Sequence, residues 1–455
     1  MTVERMTPSG EATVSEAIAG RARGIEGTGR RRALPGLLRP LEERDFRLVW
    51  FGEGISTLGD QFHMVALTWL TLGLTGSGLA LGTVLTAAAV PRAVLMLVGG
   101  ALSDRIPPRR IMLASNVLRA IVVAALAGLI LTGQVQLAQV YLMAVIFGAV
   151  DAFFYPAIGA FTPSLVDDQS RLPAANALFR GTTQLMAMIG PPLAGLLVAA
   201  ATPGPAFAVD ALSFAVAALM LALVRGRDRR RIGDTLSAAD TTDGASNEGL
   251  VADIRAGLLY AWRDPALRLL LLMATMVNVA FAGPEIVGLA WLAANRWMSG
   301  PVGYGLLMGA FSLGALLGIA LAGSLGELPR QGRVIVAVVF GLGVGLIIVG
   351  LSPTILPALL VTLPMGMGTG FVNIRLMAWL QSRVDPTLLG RVMSLVMLAG
   401  VGLAPISYAV AGALVDVSAT ALFVGSAAMI LVTAAAGLAS RAADRIDEPA
   451  DAAAG

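Results

Sequence analysis

Residues 80–132 read ALGTVLTAAAVPRAVLMLVGGALSDRIPPRRIMLASNVLRAIVVAALAGLILT, two apolar runs joined by a short polar turn that carries three arginines. Each run is about 20 residues long, which is enough to cross roughly 30 Å of hydrocarbon as a helix. Basic residues collect in the cytoplasmic loops of membrane proteins. The stretch therefore predicts a pair of transmembrane helices whose connecting turn lies in the cytoplasm.

The composition extends this pattern to the whole chain. Of its 455 residues 56% are hydrophobic and 13% are charged, and the mean hydropathy is +0.79. A soluble domain carries about 25% charged residues, so the supply of solvated side chains is about half the usual one. Apolar runs of similar length recur from Phe46 to Ser440. The chain is therefore predicted to be an all-α, multi-pass protein of the cell membrane.

The apolar runs and the breakers between them predict twelve transmembrane helices. These form two pseudo-symmetric halves of six helices each. The predicted helices cover residues 46–74, 80–102, 111–132, 136–163, 173–200, 204–224, 266–293, 301–325, 334–351, 354–382, 388–415 and 420–439.

Arginine placement predicts the orientation of these helices. The loops on one side hold nearly all the loop arginines, whereas the loops on the other side hold only Arg296. The basic side is expected to be cytoplasmic, which places both termini in the cytoplasm. The arginines assigned to that side are Arg105, Arg109, Arg110, Arg171, the run from Arg225 to Arg231, Arg330, Arg333, Arg383, Arg391, Arg441 and Arg445.

Polar stretches divide the chain into five segments. Between the two helical halves, the linker ends in a stripe of Leu250, Ile254, Leu258 and Ala261, which predicts an amphipathic helix on the membrane surface. The segments are a disordered cytoplasmic arm at 1–45, a first half at 46–224, a cytoplasmic linker at 225–265, a second half at 266–440 and a cytoplasmic tail at 441–455.

The two halves resemble each other in sequence. GGALSDRIPPRR (99–110) follows the second predicted helix, and AGSLGELPRQGR (322–333) follows the eighth. Each combines small residues, one acid, a turn and arginines. A duplicated six-helix unit is typical of secondary transporters, in which two halves move about a central site.

Missing residue types exclude several kinds of chemistry. The chain has no cysteine and one histidine, His63, so it offers neither a thiolate site nor a multi-histidine metal centre. All 32 basic residues are arginine, and without lysine there is no P-loop and no Schiff base. We therefore expect no cofactor, no metal, no nucleotide and no enzymatic activity. The scattered arginines and the net charge of +3 give no reason to expect nucleic acid as a partner.

Two motifs resemble those of the major facilitator superfamily. The superfamily pattern between helices 2 and 3 is G-x-L-x-D-R-x-G-x-R-R, and here Pro107 stands in place of the second glycine. IGPPLAG (189–195) resembles the Gly-Pro motif in helix 5 of its antiport branches, with Ala194 where glycine is usual. The matching positions are Gly100, Leu102, Asp104, Arg105, Arg109 and Arg110 in the first motif, and Gly190, Pro191 and Gly195 in the second.

Longer stretches, such as STLGDQFHMVALTWL and AANALFRGTTQLMAMIGP, look like the bacterial efflux branch of siderophore, macrolide and multidrug exporters. The resemblance implies a secondary active transporter that exports hydrophobic or amphipathic, drug-like compounds in exchange for protons by alternating access. An exporter of a single endogenous product, such as a siderophore or a lipid-like metabolite, is the alternative. The expected partners are a small-molecule substrate, protons and the lipid bilayer, with the chain acting as a monomer.

One departure from the family concerns the proton path. Drug/proton antiporters often carry an arginine in helix 4, four residues before a glycine. Gly148 fits that glycine, but Ala144 occupies the position of the arginine. The proton path of those relatives is therefore not transferred to this chain as a whole.

Charges inside the predicted helices are the candidates for proton coupling, because a charge in hydrocarbon is costly without a partner. The helical rise places Asp60 roughly 21 Å and Arg92 roughly 18 Å from the cytoplasmic ends of helices 1 and 2. It places Arg119 and Asp151 roughly 14 and 16 Å from the corresponding ends of helices 3 and 4. Each pair is either a structural ion pair or contains a carboxylate that carries a proton.

Four further charged or titratable positions complete the set. Asp60 ranks first as a proton carrier, Asp151 second and Glu53 third. Asp210 and Glu285 are interpreted as outer-gate or helix-end residues, and His63 as a structural residue rather than a pH sensor.

The remaining candidates concern the gate and the substrate. Asp104, with the arginines beside it, is expected to form an inner gate by contacting neighbouring helix ends when the cytoplasmic side closes. Arg375 is either a contact for an anionic substrate or a residue that reaches the inner interface. The substrate pocket is expected between the halves near mid-bilayer, and the candidate lining residues are Trp69, Phe147, Phe154, Met186, Met276, Asn278, Met365, Arg375 and Trp379.

Overall fold

The computed structural model describes residues 36–103, 106–225, 258–262, 264–326, 329–384, 386–440 and 446. Over these residues the chain consists of helices joined by short connections. Several predictions fall outside them: the arm up to residue 35, Asp104 and Arg105, most of the linker, and the tail apart from Ile446.

We number the membrane helices α1 to α12 in chain order. The last helical stretch, Ala404–Ala439, is interrupted at Ser418; its first part continues α11 and its second part is α12. The first half contains α1 (Arg44–Thr75), α2 (Gly78–Ser103), α3 (Pro108–Leu131), α4 (Leu137–Phe161), α5 (Leu172–Ala200) and α6 (Pro203–Ala222). The second half contains α7 (Pro265–Gly283), α8 (Gly300–Ser324), α9 (Gln331–Leu351), α10 (Ile355–Arg383), α11 (from Pro386–Met397 onward) and α12.

Two of these helices contain π-helical turns. α7 continues through the π-helical segment Pro284–Gly288, one α-helical turn at Leu289–Trp291 and a second π-helical segment, Leu292–Arg296. α11 passes through a π-helical segment at Leu398–Gly402. Such turns are rare and are frequently found at functional sites.

The described helices are consistent with twelve membrane crossings. Ten helical stretches in the described part of the chain are long and apolar enough to cross a membrane. α1, which carries Glu53, Asp60 and His63, is not among them, although it is 32 residues long. The stretch Leu388–Ala439 contains two crossings, because Ser418 has the extended dihedral angles φ −162° and ψ 105°. The fold is therefore all-α and multi-pass, consistent with the twelve predicted helices.

Local sequence explains where the helices begin and end. α1 ends at Gly76, whose φ of 65° is accessible to glycine and whose amide donates to the Leu72 carbonyl. α7 begins after Asp264, whose carboxylate accepts from the amides of Ala266 and Leu267.

The segment before α1 differs from the predicted disordered arm. Gly36–Glu42 forms a 3₁₀-helix that packs against α5 and buries Pro40. Leu41 contacts the apolar cluster around Phe46, and Glu43 accepts from the Asp167 amide at 3.0 Å. These contacts order the chain ten residues before the predicted start of helix 1. Of the predicted amphipathic helix, residues 258–262 are described, and they are helical.

The two halves are packed together at one face of the bundle. We call the face where α1 begins the terminal face, and the face where α1 ends and α2 begins the opposite face. Near the terminal face each half has its own apolar cluster, one around Phe46 and Phe154 and the other around Leu267 and Trp379. The remaining cluster contains residues of both halves, including Phe207 and Phe423. The halves therefore share a core except near the terminal face.

Glycines bring the halves into backbone contact along two seams. In the seam between α2 and α11, a Cβ at Gly82 would overlap the Tyr408 carbonyl oxygen. In the seam between α5 and α8, a Cβ at Gly305 would overlap the carbonyl oxygen of Pro191. Small residues permit such close approach of membrane helices.

Candidate functional site: a buried charge network in the first half

The predicted pair of Arg119 and Asp151 is present as an ion pair between α3 and α4. Arg119 is 3% exposed. Its guanidinium carbon lies 4.5 Å from the centre of the Phe154 ring, and 5.3 and 5.4 Å from those of Phe147 and Phe214. The carboxylate and three aromatic rings thus hold this arginine in the interior.

The predicted pair of Asp60 and Arg92 is absent. Within the described residues neither side chain forms an ion pair, and both Asp60 Oδ1 and Arg92 Nε are buried without a hydrogen-bond partner. The Arg92 guanidinium instead lies 4.9 Å from the centre of the Tyr155 ring on α4. The physical reason is helix packing: α1 packs mainly along α5 and α6, and only slightly along α2.

A second buried pair, His63 with Asp210, joins α1 to α6. His63 Nδ1 lies 2.8 Å from Asp210 Oδ2, and the Asp210 side chain is fully buried. The His63 ring stacks on Phe147 at 4.4 Å between centroids and meets the edge of Phe207 at 5.3 Å. Asp210 therefore lies inside α6 with a partner on α1 rather than at a helix end, and its interpretation as an outer-gate residue stays a prediction. One sequence signal could have indicated this pair: Asp210 is the sole charge of α6, so it required a partner on a neighbouring helix.

Asp60 connects the two pairs electrostatically. It lies three residues before His63, on the same side of α1, and within Coulombic range of Asp210, Arg119 and Asp151. Glu53 lies two turns earlier on α1, within range of Arg119 and Asp151. Together these residues form the charge network: Glu53, Asp60, His63, Arg119, Asp151 and Asp210. Asp60 and Asp210 each have a buried oxygen without a hydrogen-bond partner, but Asp210 is paired through its other oxygen with His63, whereas Asp60 forms no ion pair within the described residues.

The inner-gate candidates are only partly described. Gly100 lies within α2, and Arg110 is exposed. Arg109 donates to the carbonyls of Leu221 and Ala222, at 3.2 and 2.9 Å, and so binds the carboxyl end of α6 in its own half.

The helix-5 motif lies in the seam between α5 and α8. The Pro191 carbonyl faces Gly305, and a Cβ at Gly195 would overlap the Pro301 carbonyl. Gly190 faces the Gln61 side chain of α1. The motif therefore packs the first half against the second.

The pocket candidates do not form one site. Phe147 and Phe154 belong to the charge network, and Trp69 contacts Tyr304 of α8 at 5.5 Å between ring centroids. Met365 lines a small cavity within the second half. Met186 and Met276 are partly buried, and the Asn278 amide donates to the Ala274 carbonyl on its own helix.

Two pocket candidates lie at the terminal face rather than at mid-bilayer. Arg375 donates to the Leu325 and Gly326 carbonyls, at 2.5 and 2.9 Å, where α8 has just ended. Trp379 donates to the Ile446 carbonyl at 2.9 Å within the terminal cluster of the second half. Backbone carbonyls left free at helix ends attract such donors.

At the opposite face, Asp416 joins the two halves. Its carboxylate, at the end of α11, accepts from the Ser77 hydroxyl and from the amides of Gly78 and Leu79 where α2 begins. Trp291 of α7 donates to the same carboxylate at 3.1 Å. We call this group the Asp416 latch. A carboxylate at a helix amino terminus is also favoured by the helix dipole.

We expect Asp416→Ala to loosen the opposite face. Three hydrogen bonds between the halves would be lost, and hydrogen bonds to charged groups contribute about 2 kcal/mol each. A net change of about 2 kcal/mol shifts an equilibrium about 30-fold. Spin labels can be attached at Gln134→Cys and Thr354→Cys, which lie in exposed connections of the two halves at the opposite face. In Asp416→Ala, the distribution of distances between the two labels should contain a larger fraction of molecules with a long distance. Ser77→Ala, which removes one bond, should give a smaller shift; an unchanged distance distribution in Asp416→Ala would refute the latch.

Two helical halves that are closed together at one face by glycine seams are an arrangement typical of membrane transporters. The sequence profile of the Major Facilitator Superfamily matches residues 49–407, and the chain belongs to that superfamily.

Characterised relatives are efflux proteins. The chain is 27% identical over 320 residues to "Multidrug efflux pump Tap" of Mycolicibacterium fortuitum, covering 69% of this chain and 75% of that protein. It is 24% identical over 353 residues to "Macrolide efflux protein A" of Streptococcus pyogenes, covering 77% of this chain and 84% of the relative.

Solved structures share the fold. A POT family transporter superposes with a TM-score of 0.67 at 14% identity, over 89% of this chain and 97% of that chain. A bacterial homologue of the iron transporter ferroportin, in an inward-facing state, gives a TM-score of 0.65 at 16% identity, over 87% of this chain and 98% of that chain.

Proposed function

We propose that this chain is a proton-coupled exporter of hydrophobic or amphipathic compounds that works by alternating access. The efflux names of its relatives, for multidrug and macrolide substrates, support export as the direction. The separate cores at the terminal face and the shared core elsewhere support alternating access, because they correspond to a bundle closed at one face.

One observation carries the coupling part of the proposal: Asp60 has a buried oxygen without a hydrogen-bond partner and no ion pair among the described residues, whereas the neighbouring Asp151 and Asp210 are each paired with a basic side chain. An ionised carboxylate in such a position is costly, and taking up a proton removes that cost. Arg119 and His63 already hold Asp151 and Asp210. Asp60 is thus the member of the network best suited to bind and release a proton.

The proposed cycle uses the two halves as the moving parts. With the terminal face open, Asp60 releases its proton and substrate enters; with the opposite face open, substrate leaves and Asp60 binds a proton. Substrate and proton are coupled because each favours a different state of the same equilibrium. The arginine-rich loops support a cytoplasmic terminal face, with both termini in the cytoplasm and a single chain as the working unit.

The test is flux in proteoliposomes under an imposed pH gradient, for wild type and Asp60→Asn, with ethidium as the probe. We expect gradient-driven flux to fall at least about tenfold in the variant while ethidium binding is retained, since the amide keeps the shape but carries no proton. The matched control is Asp168→Asn, the same change at an exposed carboxylate that accepts from the Ser170 amide in a connecting loop.

The outcomes separate the alternatives. Unchanged gradient-driven flux in Asp60→Asn would refute Asp60 as the carrier and transfer the role to Asp151. Wild-type protein that neither binds nor moves ethidium or other amphipathic compounds would refute the proposed substrate range and favour the exporter of a single endogenous product.

A further inference from the structure

Apart from Asp416 at the end of α11, Glu285 is the sole acid within the described membrane helices of the second half. It lies on α7, in the π-helical segment Pro284–Gly288, well away in sequence from every member of the charge network. A π-helical turn adds a residue to the helix and changes the direction in which its side chains point. Glu285 does not lie at a helix end, because α7 continues for another eleven residues; its interpretation as an outer-gate residue stays a prediction.

Glu285 lines a small, almost wholly apolar cavity between α7, α8, α9, α10 and α12. The cavity is about 20 Å³ in volume, which is room for one water molecule. Half of the residues that line it are aromatic or methionine, and the others besides Glu285 are three aliphatic residues and Thr362; the aromatic and methionine residues are Phe281, Phe311, Phe423, Met308 and Met365.

Within the part of the chain that the structure describes, Glu285 forms neither an ion pair nor a hydrogen bond, so no basic group neutralises it. The polar groups within Coulombic range are the phenols of Tyr304 and Tyr408. Two guanidinium groups of the second half are occupied elsewhere: Arg296 donates to the Gly350 carbonyl and to Thr420, and Arg375 donates to carbonyls at the end of α8.

We propose that Glu285 and the rings of Phe281, Phe311 and Phe423 form a recognition site for the ammonium head of a cationic amphipathic substrate. The inference rests on the proposed function and specifies where and how such a substrate is held. A carboxylate supplies the counter-charge, and aromatic faces attract organic cations strongly when water is excluded.

The walls favour an organic cation over a bare proton. A proton would need only the carboxylate, whereas this cavity adds three phenyl rings, two of which, Phe281 and Phe311, lie 5.6 Å apart at an angle of 32°. Met308 and Met365 can change rotamers to enlarge the cavity for a head group, since methionine is the most adaptable apolar side chain. The tail of the substrate would then extend among the apolar residues of the second half.

The test uses two dansyl probes that differ only in the head group, trimethylammonium in one and tert-butyl in the other. Affinity is measured by fluorescence with purified full-length protein, for wild type, Glu285→Gln and Phe311→Leu. We expect Glu285→Gln to weaken binding of the cationic probe at least about tenfold and that of the neutral probe by less than about threefold. Phe311→Leu should weaken the cationic probe about fivefold.

Asp168→Asn again serves as the control and should leave both affinities unchanged. Equal loss of both probes in Glu285→Gln would overturn the inference, because it would indicate a packing role. Unchanged affinity for the cationic probe would overturn it as well. If wild type bound and transported the neutral probe while Glu285→Gln showed no head-group selectivity, the ammonium site would fail and the proposed function would stand. If wild type bound neither probe, both would fail.

Discussion

We expect Gly305→Leu to abolish substrate flux while the protein remains folded. A Cβ at this position would overlap the Pro191 carbonyl oxygen, and a backbone atom in a packed seam cannot move aside as a side chain can. The added side chain would cost about 3 kcal/mol by overpacking, and this cost arises only in the state in which the seam between α5 and α8 is closed. That cost shifts the equilibrium between the two states about 150-fold towards an open opposite face.

Flux under a pH gradient and the separation of the spin labels at Gln134→Cys and Thr354→Cys test this prediction together. The chain has no cysteine of its own, so both labels report only on the introduced sites. The matched control is Gly341→Leu, because a Cβ at this exposed glycine of α9 meets no atom within 4 Å. Wild-type flux in Gly305→Leu would contradict the seam as a moving contact.

The sequence was sufficient to predict the fold because the relevant signals are local. Apolar runs, breakers and arginine spacing predicted the bounds of most helices within three residues, for example 173–200 against Leu172–Ala200 for α5. The order before Arg44 was missed because it depends on contacts with distant residues, such as Glu43 with Asp167.

The charge network was predicted only in part, and the reason is geometric. Helical rise gives the height of a residue in the membrane, which was enough to pair Arg119 with Asp151. Rise does not give the rotation of a helix or its neighbours. Asp60 and Arg92 therefore match in height without meeting, and His63 meets Asp210 across two helices that are not adjacent in sequence.

The substrate pocket was the least predictable feature. The pocket candidates were chosen by their side-chain type and by their depth in the membrane. In the structure, however, Phe147 and Phe154 pack against the Arg119 guanidinium, and Trp379 lies near the terminal face. Glu285, on which we base the proposed recognition site, was ranked only as an outer-gate or helix-end residue, because an acid in a membrane helix indicates a function without naming its ligand.

Variants of the ion pair between Arg119 and Asp151 can distinguish a role in stability from a role in proton coupling. We expect Arg119→Met to lower the free energy of unfolding by about 3–5 kcal/mol, because it leaves a buried carboxylate without its partner. Arg375→Met is the control: it removes hydrogen bonds to two backbone carbonyls and strands no carboxylate, so the loss should be about 1–2 kcal/mol. Thermal unfolding in detergent measures both.

The double variant Arg119→Met/Asp151→Leu should then recover most of the lost stability, because replacing a buried ion pair by apolar groups of similar volume is close to neutral. If Asp60 carries the proton, this variant should also retain gradient-driven flux, since removing the arginine and the carboxylate together leaves the net charge near Asp60 unchanged. Recovered stability with lost flux would show that Asp151 itself carries the proton. The stability of the variant makes the flux result decisive, because a loss of transport could not then be attributed to unfolding.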